Sequence, residues 1–209
     1  MGRAEAIPVL HAVTDDAVLA RPGFVEAAEA VARAGGAGLA LHLRGPGTEG
    51  GMLYRLAVEL RDAVREHGAM LVVNDRVDVA MAVGVDGVQL GARGLEIADA
   101  RRLAGGRMRI GASVHASDEA RAAVDAGADW VIAGTIWSTP SHPGRPGAGL
   151  PLIRALAAAG TPPIAIGGVT VERAAEARGA GATGAAVLRG IWDAPDPADA
   201  VRQYLSALR

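Results

Sequence analysis

The chain has 209 residues, half of them hydrophobic but only 3% aromatic, and a net charge of −2; that is one domain's length, with a core of Ala, Val, Leu and Ile. All 21 basic residues are arginine and cysteine is absent, which excludes Schiff-base, pyridoxal phosphate and P-loop lysine chemistry together with thiol nucleophiles, disulfides and Cys-type metal centres. Near-neutral charge without a basic run argues against nucleic acid as a partner. No apolar stretch reaches the roughly 18 residues of a membrane helix, and the start carries no signal-peptide core, so a cytoplasmic protein with no membrane partner is expected.

Taken in chain order, short continuous apolar runs predict eight strands, at 8–13, 38–43, 70–73, 87–90, 108–113, 130–133, 164–166 and 184–188. Runs that do not alternate suit a parallel sheet covered on both faces. Amphipathic helical stretches lie between them, the longest at 52–67, with others at 119–126, 150–158, 172–178 and 197–208. Ala34-Gly35-Gly36-Ala37, Val83-Gly84-Val85-Asp86, Ala126-Gly127-Ala128-Asp129 and Ala180-Gly181-Ala182-Thr183 repeat one device. In each, glycine stops an Ala-rich helix just before a β-branched run. Strand and helix alternating eight times predict a single (β/α)8 barrel of the α/β class over residues 1–209, at the short limit for that fold. The alternative is an open doubly wound sheet, but no G-x-G-x-x-G follows the first strand. The Pro/Gly-rich connection 139–149 is the longest and reads as functional or mobile.

Barrels of this kind build their sites from the loops after the C-terminal strand ends. The polar residues there are His11 and Thr14 to Asp16, His42 and Arg44, Asn74 to Arg76, Gln89, Ser113 and His115, Thr135, then Thr139, Ser141, His142 and Arg145. Ile166-Gly167-Gly168-Val169-Thr170 is the most informative local signal, because strand–Gly–Gly–helix offers bare backbone N–H groups to a phosphate. The loop after the eighth strand begins at Leu188-Arg189, where Arg189 adds a charged donor. Gly167, Gly168, Leu188 and Arg189 are therefore the candidate phosphate site, against the plainer reading of a turn that merely requires glycine. His67 reads as a solvated helix end and His11 as a buried core residue, while His42 shares its strand face with Arg44.

These residues, in this order, resemble the thiamine phosphate synthase / TenI family over nearly the whole chain. The segments are His11-Ala12-Val13-Thr14-Asp15-Asp16, Arg44, Asn74-Asp75-Arg76-Val77-Asp78, Gly87-Val88-Gln89-Leu90 and Gly111-Ala112-Ser113-Val114-His115. Gly134-Thr135-Ile136-Trp137-Ser138-Thr139 and Ala165-Ile166-Gly167-Gly168 complete the set. The resemblance implies a barrel binding a phosphorylated thiazole, with one of two activities. The synthase branch joins a pyrimidine pyrophosphate to a thiazole phosphate with Mg²⁺. For that branch Asp75 matches the first metal position, but the second metal-binding Asp falls at Gly94. The family's Arg-x-Lys becomes Arg44-Gly45-Pro46, and the lysine of the strand-six loop falls at His142.

The TenI branch aromatises a thiazole carboxylate phosphate by a 1,3-proton shift, which needs no cofactor but does need a group that changes charge near neutral pH. Ser113-Val114-His115 resembles its histidine segment, so His115 is the expected proton shuttle. Arg44 would hold the carboxylate, with Asn74, Ser113, Thr135, Thr139 and His142 as further substrate contacts. Asp75 has a plain alternative role as a helix N-cap. The tautomerase is the preferred reading. The synthase with Mg²⁺ on Asp75, a non-catalytic thiazole or thiamine phosphate binder, and another phosphate-binding isomerase barrel are the alternatives. Apolar helix faces leave a homodimer open without choosing a surface.

Overall fold

In the computed structural model, which describes residues 6–92, 94–139, 144 and 146–209, eight parallel strands close into one barrel in sequence order. Strand β1 (Leu10–Val13) leads through α1 (Asp16–Leu19) and α2 (Phe24–Gly35) to β2 (Leu39–Leu43). Then follow α3 (Gly50–Glu66), β3 (Met70–Asn74), α4 (Val77–Val83), β4 (Gly87–Leu90), α5 (Ile97–Ala104) and β5 (Arg109–Val114). The second half runs α6 (Ser117–Asp125), β6 (Trp130–Ala133), α7 (Gly149–Ala158), β7 (Ile164–Ile166), α8 (Val171–Gly179), β8 (Gly184–Val187), α9 (Arg189–Trp192) and α10 (Pro197–Ala207). Beta-8 pairs with β1 through Leu10 opposite Ala185, so no edge remains.

The expected barrel is the observed one, and strands 87–90, 130–133 and 164–166 coincide with β4, β6 and β7. Others shift at their ends: the first strand starts at Leu10 rather than residue 8, and the fifth runs on to Val114. Helices α1, α2, α4, α5 and α9 have no range in the helical pattern; α2 and α4 enter it only through the glycine stops that follow them. Each of the four glycine stops carries a residue with positive φ, namely Gly36, Gly84, Gly127 and Gly181.

Two layers of packing hold the barrel. Outward strand residues such as Leu10, Leu41, Leu71 and Ile110 meet the helices in the principal cluster. Inward ones, among them Val13, Ala40, Val72, Trp130, Ile132, Ile164 and Ala186, fill the interior. With so few aromatics the interior is tuned by glycine. A Cβ on Gly111 would stand 2.2 Å from both the Trp130 ring and Gln89 Oε1. Gly111→Ala is therefore expected to lower the unfolding free energy by about 3 kcal/mol, the upper end of overpacking costs. A urea midpoint unchanged from wild type would show that the indole has room to move.

The mouth at the C-terminal strand ends is pinned from outside. Trp192 Nε1–H donates to the Val13 carbonyl at 2.9 Å, and Tyr204 O–H donates to that of Val169 at 3.1 Å. The loops after β7 and β8 are thus tied to β1 and α10. No helix among the described residues is long and apolar enough to cross a membrane.

Candidate active site

Four strand ends bring the expected substrate residues to one mouth. On β2, Thr14 sets the position of Arg44: its hydroxyl accepts the Arg44 N–H at 2.8 Å and lies 3.0 and 2.9 Å from the carbonyls of His42 and Arg44. The Arg44 side chain is half-buried, and among the described residues no carboxylate pairs with it.

Below the mouth lie two polar chains. His11 and His42, fully buried, meet at 2.7 Å between Nδ1 and Nε2. His11 Nε2 reaches the Pro8 carbonyl at 3.0 Å, and His42 Nδ1 reaches the Asn74 amide at 3.2 Å. Burial pushes both rings toward the neutral form, His42 down to about 4, while neighbouring His42 lowers His11 further. In the other chain, Trp130 Nε1–H donates to Gln89 Oε1 at 2.8 Å and Gln89 Nε2–H to Ser113 Oγ at 3.1 Å. Ser113 faces inward yet is exposed, so solvent enters the barrel as far as its hydroxyl. That hydroxyl accepts from Gln89 and retains its own proton as a donor.

His115 stands just past β5, exposed, with its backbone N–H donating to Glu119 Oε2 at 2.6 Å. Its ring Nδ1 hydrogen-bonds the carbonyl of Gly134 at the end of β6. A carbonyl only accepts, so Nδ1 carries the proton and a neutral ring leaves Nε2 as a free base. Thr135, next in the chain, is half-buried; Thr139 is half-buried farther along the same connection. His142 lies outside the described residues, as do residues 140, 141, 143 and 145 of the same loop.

The glycine pair opens α8 with φ of 97° at Gly167 and 64° at Gly168. It is constrained by packing as well as by conformation: a Cβ on Gly167 would come 2.5 Å from Thr135 Cγ2, and one on Gly168 2.7 Å from the Ser138 carbonyl. The plainer reading, a turn that requires glycine, is met at both positions. Across the next connection, half-buried Leu188 precedes α9 and Arg189, exposed, is its first residue. Arg173, which the sequence reading did not single out, sits 5.3 Å over the Trp137 ring and donates to the Gly168 carbonyl at 2.8 Å. Its signal was a basic residue one turn beyond a glycine pair.

Asp75 is not the N-cap suggested by its place before α4. Arg76 occupies that position without a side-chain cap, whereas Asp75 sits at φ 60° and accepts the Gly91 N–H at 2.8 Å across the β4–α5 connection. A Cβ on Gly94 would lie 3.0 Å from Asp75 Oδ1, so position 94 is where a second carboxylate would join it, and none is there. Among the described residues no cluster of three His, Asp or Glu side chains could hold a metal. Mg²⁺ is ordinarily held by one or two carboxylates plus substrate phosphates; Asp75 supplies one, with Oδ1 accepting the Gly91 N–H, and position 94 supplies no second.

A family model described as thiamine monophosphate synthase matches residues 10–191. The bifunctional thiamine biosynthesis protein ThiM/ThiE of Symbiobacterium thermophilum is 48% identical over 155 residues, 73% of this chain but only 32% of that protein. The thiamine-phosphate synthase of Acidothermus cellulolyticus is 41% identical over 177 residues, covering 83% of this chain and 84% of its own. Among solved structures, the thiamine phosphate pyrophosphorylase from Pyrococcus furiosus superposes with a TM-score of 0.81 at 32% identity, covering 95% of this chain and 94% of that one. These names match the transferase given above as the alternative; none singles out the tautomerase branch. On the extent of these matches, the chain belongs to the thiamine monophosphate synthase / TenI family.

Proposed function

We propose that this family member is a thiazole tautomerase, an isomerase that aromatises a thiazole carboxylate phosphate in thiamine biosynthesis. The observation that carries the reading is the pairing of Asp75 with Gly94, where synthase chemistry calls for a second carboxylate. Lysine, which a pyrophosphate leaving group would recruit, is absent from the whole chain. What remains intact is a cup for one phosphate and a base for one proton.

In this reading the phosphate lies against the N–H groups of Gly168, Val169 and the Leu188–Gly190 turn, with Arg189 as a charged donor. Arg44 takes the carboxylate. His115 Nε2 removes a proton from the ring, the freed electron pair completes the aromatic system, and the exocyclic alkene carbon receives a proton from the same nitrogen. Atoms and charge balance, because the reaction is an isomerisation. The Gly134 carbonyl holds Nδ1–H throughout and stabilises the transient imidazolium. Ser113, Asn74 and Thr135 line the ring's approach.

A second reading, thiamine-phosphate synthase, is favoured by the names of the relatives. One experiment separates the two. Purified protein is assayed in parallel for aromatisation of the thiazole tautomer and for coupling of hydroxymethylpyrimidine pyrophosphate to thiazole phosphate, with Mg²⁺ and with EDTA. Aromatisation is expected to proceed equally in both conditions, with no coupling detected in either. Coupling that EDTA abolishes, without aromatisation, replaces this reading by the second.

A further inference from the structure

The tautomers of the buried histidine chain follow from one fixed end. The Pro8 carbonyl can only accept, so His11 carries its proton on Nε2. A neutral ring has one N–H, hence His11 Nδ1 accepts from His42 Nε2–H at 2.7 Å. His42 Nδ1 is then an acceptor too, and the atom placed 3.2 Å from it is the side-chain oxygen Oδ1 of Asn74. An oxygen there would set two acceptors against each other. The amide's NH₂ is the one donor Asn74 owns, and the two amide ends have nearly the same shape. A doubly protonated His42 would also satisfy the geometry, but neither ring has a carboxylate partner among the described residues, and both are fully buried.

We propose that His11 and His42 are positioning residues that turn the Asn74 amide so that its NH₂ meets His42 and its carbonyl oxygen faces the barrel mouth, giving the site a fixed acceptor for an N–H or O–H group of the ligand. The order of donors begins at the Pro8 carbonyl, below β1, and ends at the strand end of β3. This rests on the mouth being the ligand site, as the proposed function holds; the tautomers themselves do not.

The test has two arms on the full-length protein. Long-range ¹⁵N–¹H NMR at pH 7 on ¹⁵N-histidine-labelled protein reads the tautomers, with His11→Gln and His42→Leu serving to assign the signals. Both rings are expected neutral with the proton on Nε2; an Nδ1–H tautomer or an imidazolium at His42 overturns the proposal. The second arm measures the Kd of hydroxyethylthiazole phosphate for wild type, His42→Leu, Asn74→Leu and the double variant. Each single change is expected to weaken binding about tenfold, one hydrogen bond's worth, and the double variant no further, because His42 acts through Asn74. Losses that multiply mean that His42 is merely structural and overturn the proposal. Should wild type not bind this probe, the proposed function falls, and the tautomers alone decide the relay.

Discussion

His115→Gln is expected to lower aromatisation turnover by about 100- to 10,000-fold, the usual range for removal of a general acid–base group, with KM changed less than about threefold. The residue is exposed, so the thermal midpoint should stay at the wild-type value, which separates lost chemistry from lost fold. The size of the effect follows from what glutamine keeps and what it lacks. It is polar and of similar length, and its amide can still reach the Gly134 carbonyl that orients the imidazole. It cannot take up and return a proton near neutral pH. Substrate held by Arg44 and the phosphate cup would still bind, so the deficit falls on kcat. A variant that turns over at the wild-type rate removes His115 from the reaction and, with it, the isomerase reading.

The barrel was legible because its signal is periodic: eight short apolar runs separated by glycine-stopped helices leave few other closures. What the pattern could not supply was anything that depends on register. His11 stands opposite Ala40 and Val13 opposite His42 in the β1–β2 ladder, so the two imidazoles meet diagonally, and neither spacing nor composition announces that. The same holds for Gln89, which pairs with Gly111 and thereby finds Trp130 and Ser113. Asp75 was misread for a related reason: a carboxylate before a helix normally caps it, but the left-handed backbone at that residue turns it across to Gly91. The glycine pair was legible as an anion loop, yet its second duty, fitting beneath residues 135–138, required the fold. Candidate residues could be assigned to strand ends from the sequence, and His11 to the interior, but the contacts that join them below the mouth could not.

Acid should destabilise this protein before most of its carboxylates are titrated. His42 ionises near its ordinary value of 6.5 in the unfolded chain but only at about 4 in the fold, where burial disfavours its charge. Between those values the unfolded state binds a proton that the native state refuses, so stability is full above pH 6.5 and falls as pH drops toward 4. At about 1.4 kcal/mol per pH unit, His42 alone removes about 2 kcal/mol by pH 5. His11 is shifted in the same direction by burial and by His42, and adds to the loss. Urea unfolding at pH 7 and pH 5 measures the sum, in a window where most carboxylates remain ionised. His42→Leu is expected to start from a lower stability at pH 7, since it strands His11 Nδ1, yet to lose less of it on acidification. A wild-type stability that is flat from pH 7 to pH 5 means that the buried pair already shares a proton in the fold. The order of donors from Pro8 to Asn74 would then have no fixed direction, and the acceptor at the mouth would go with it.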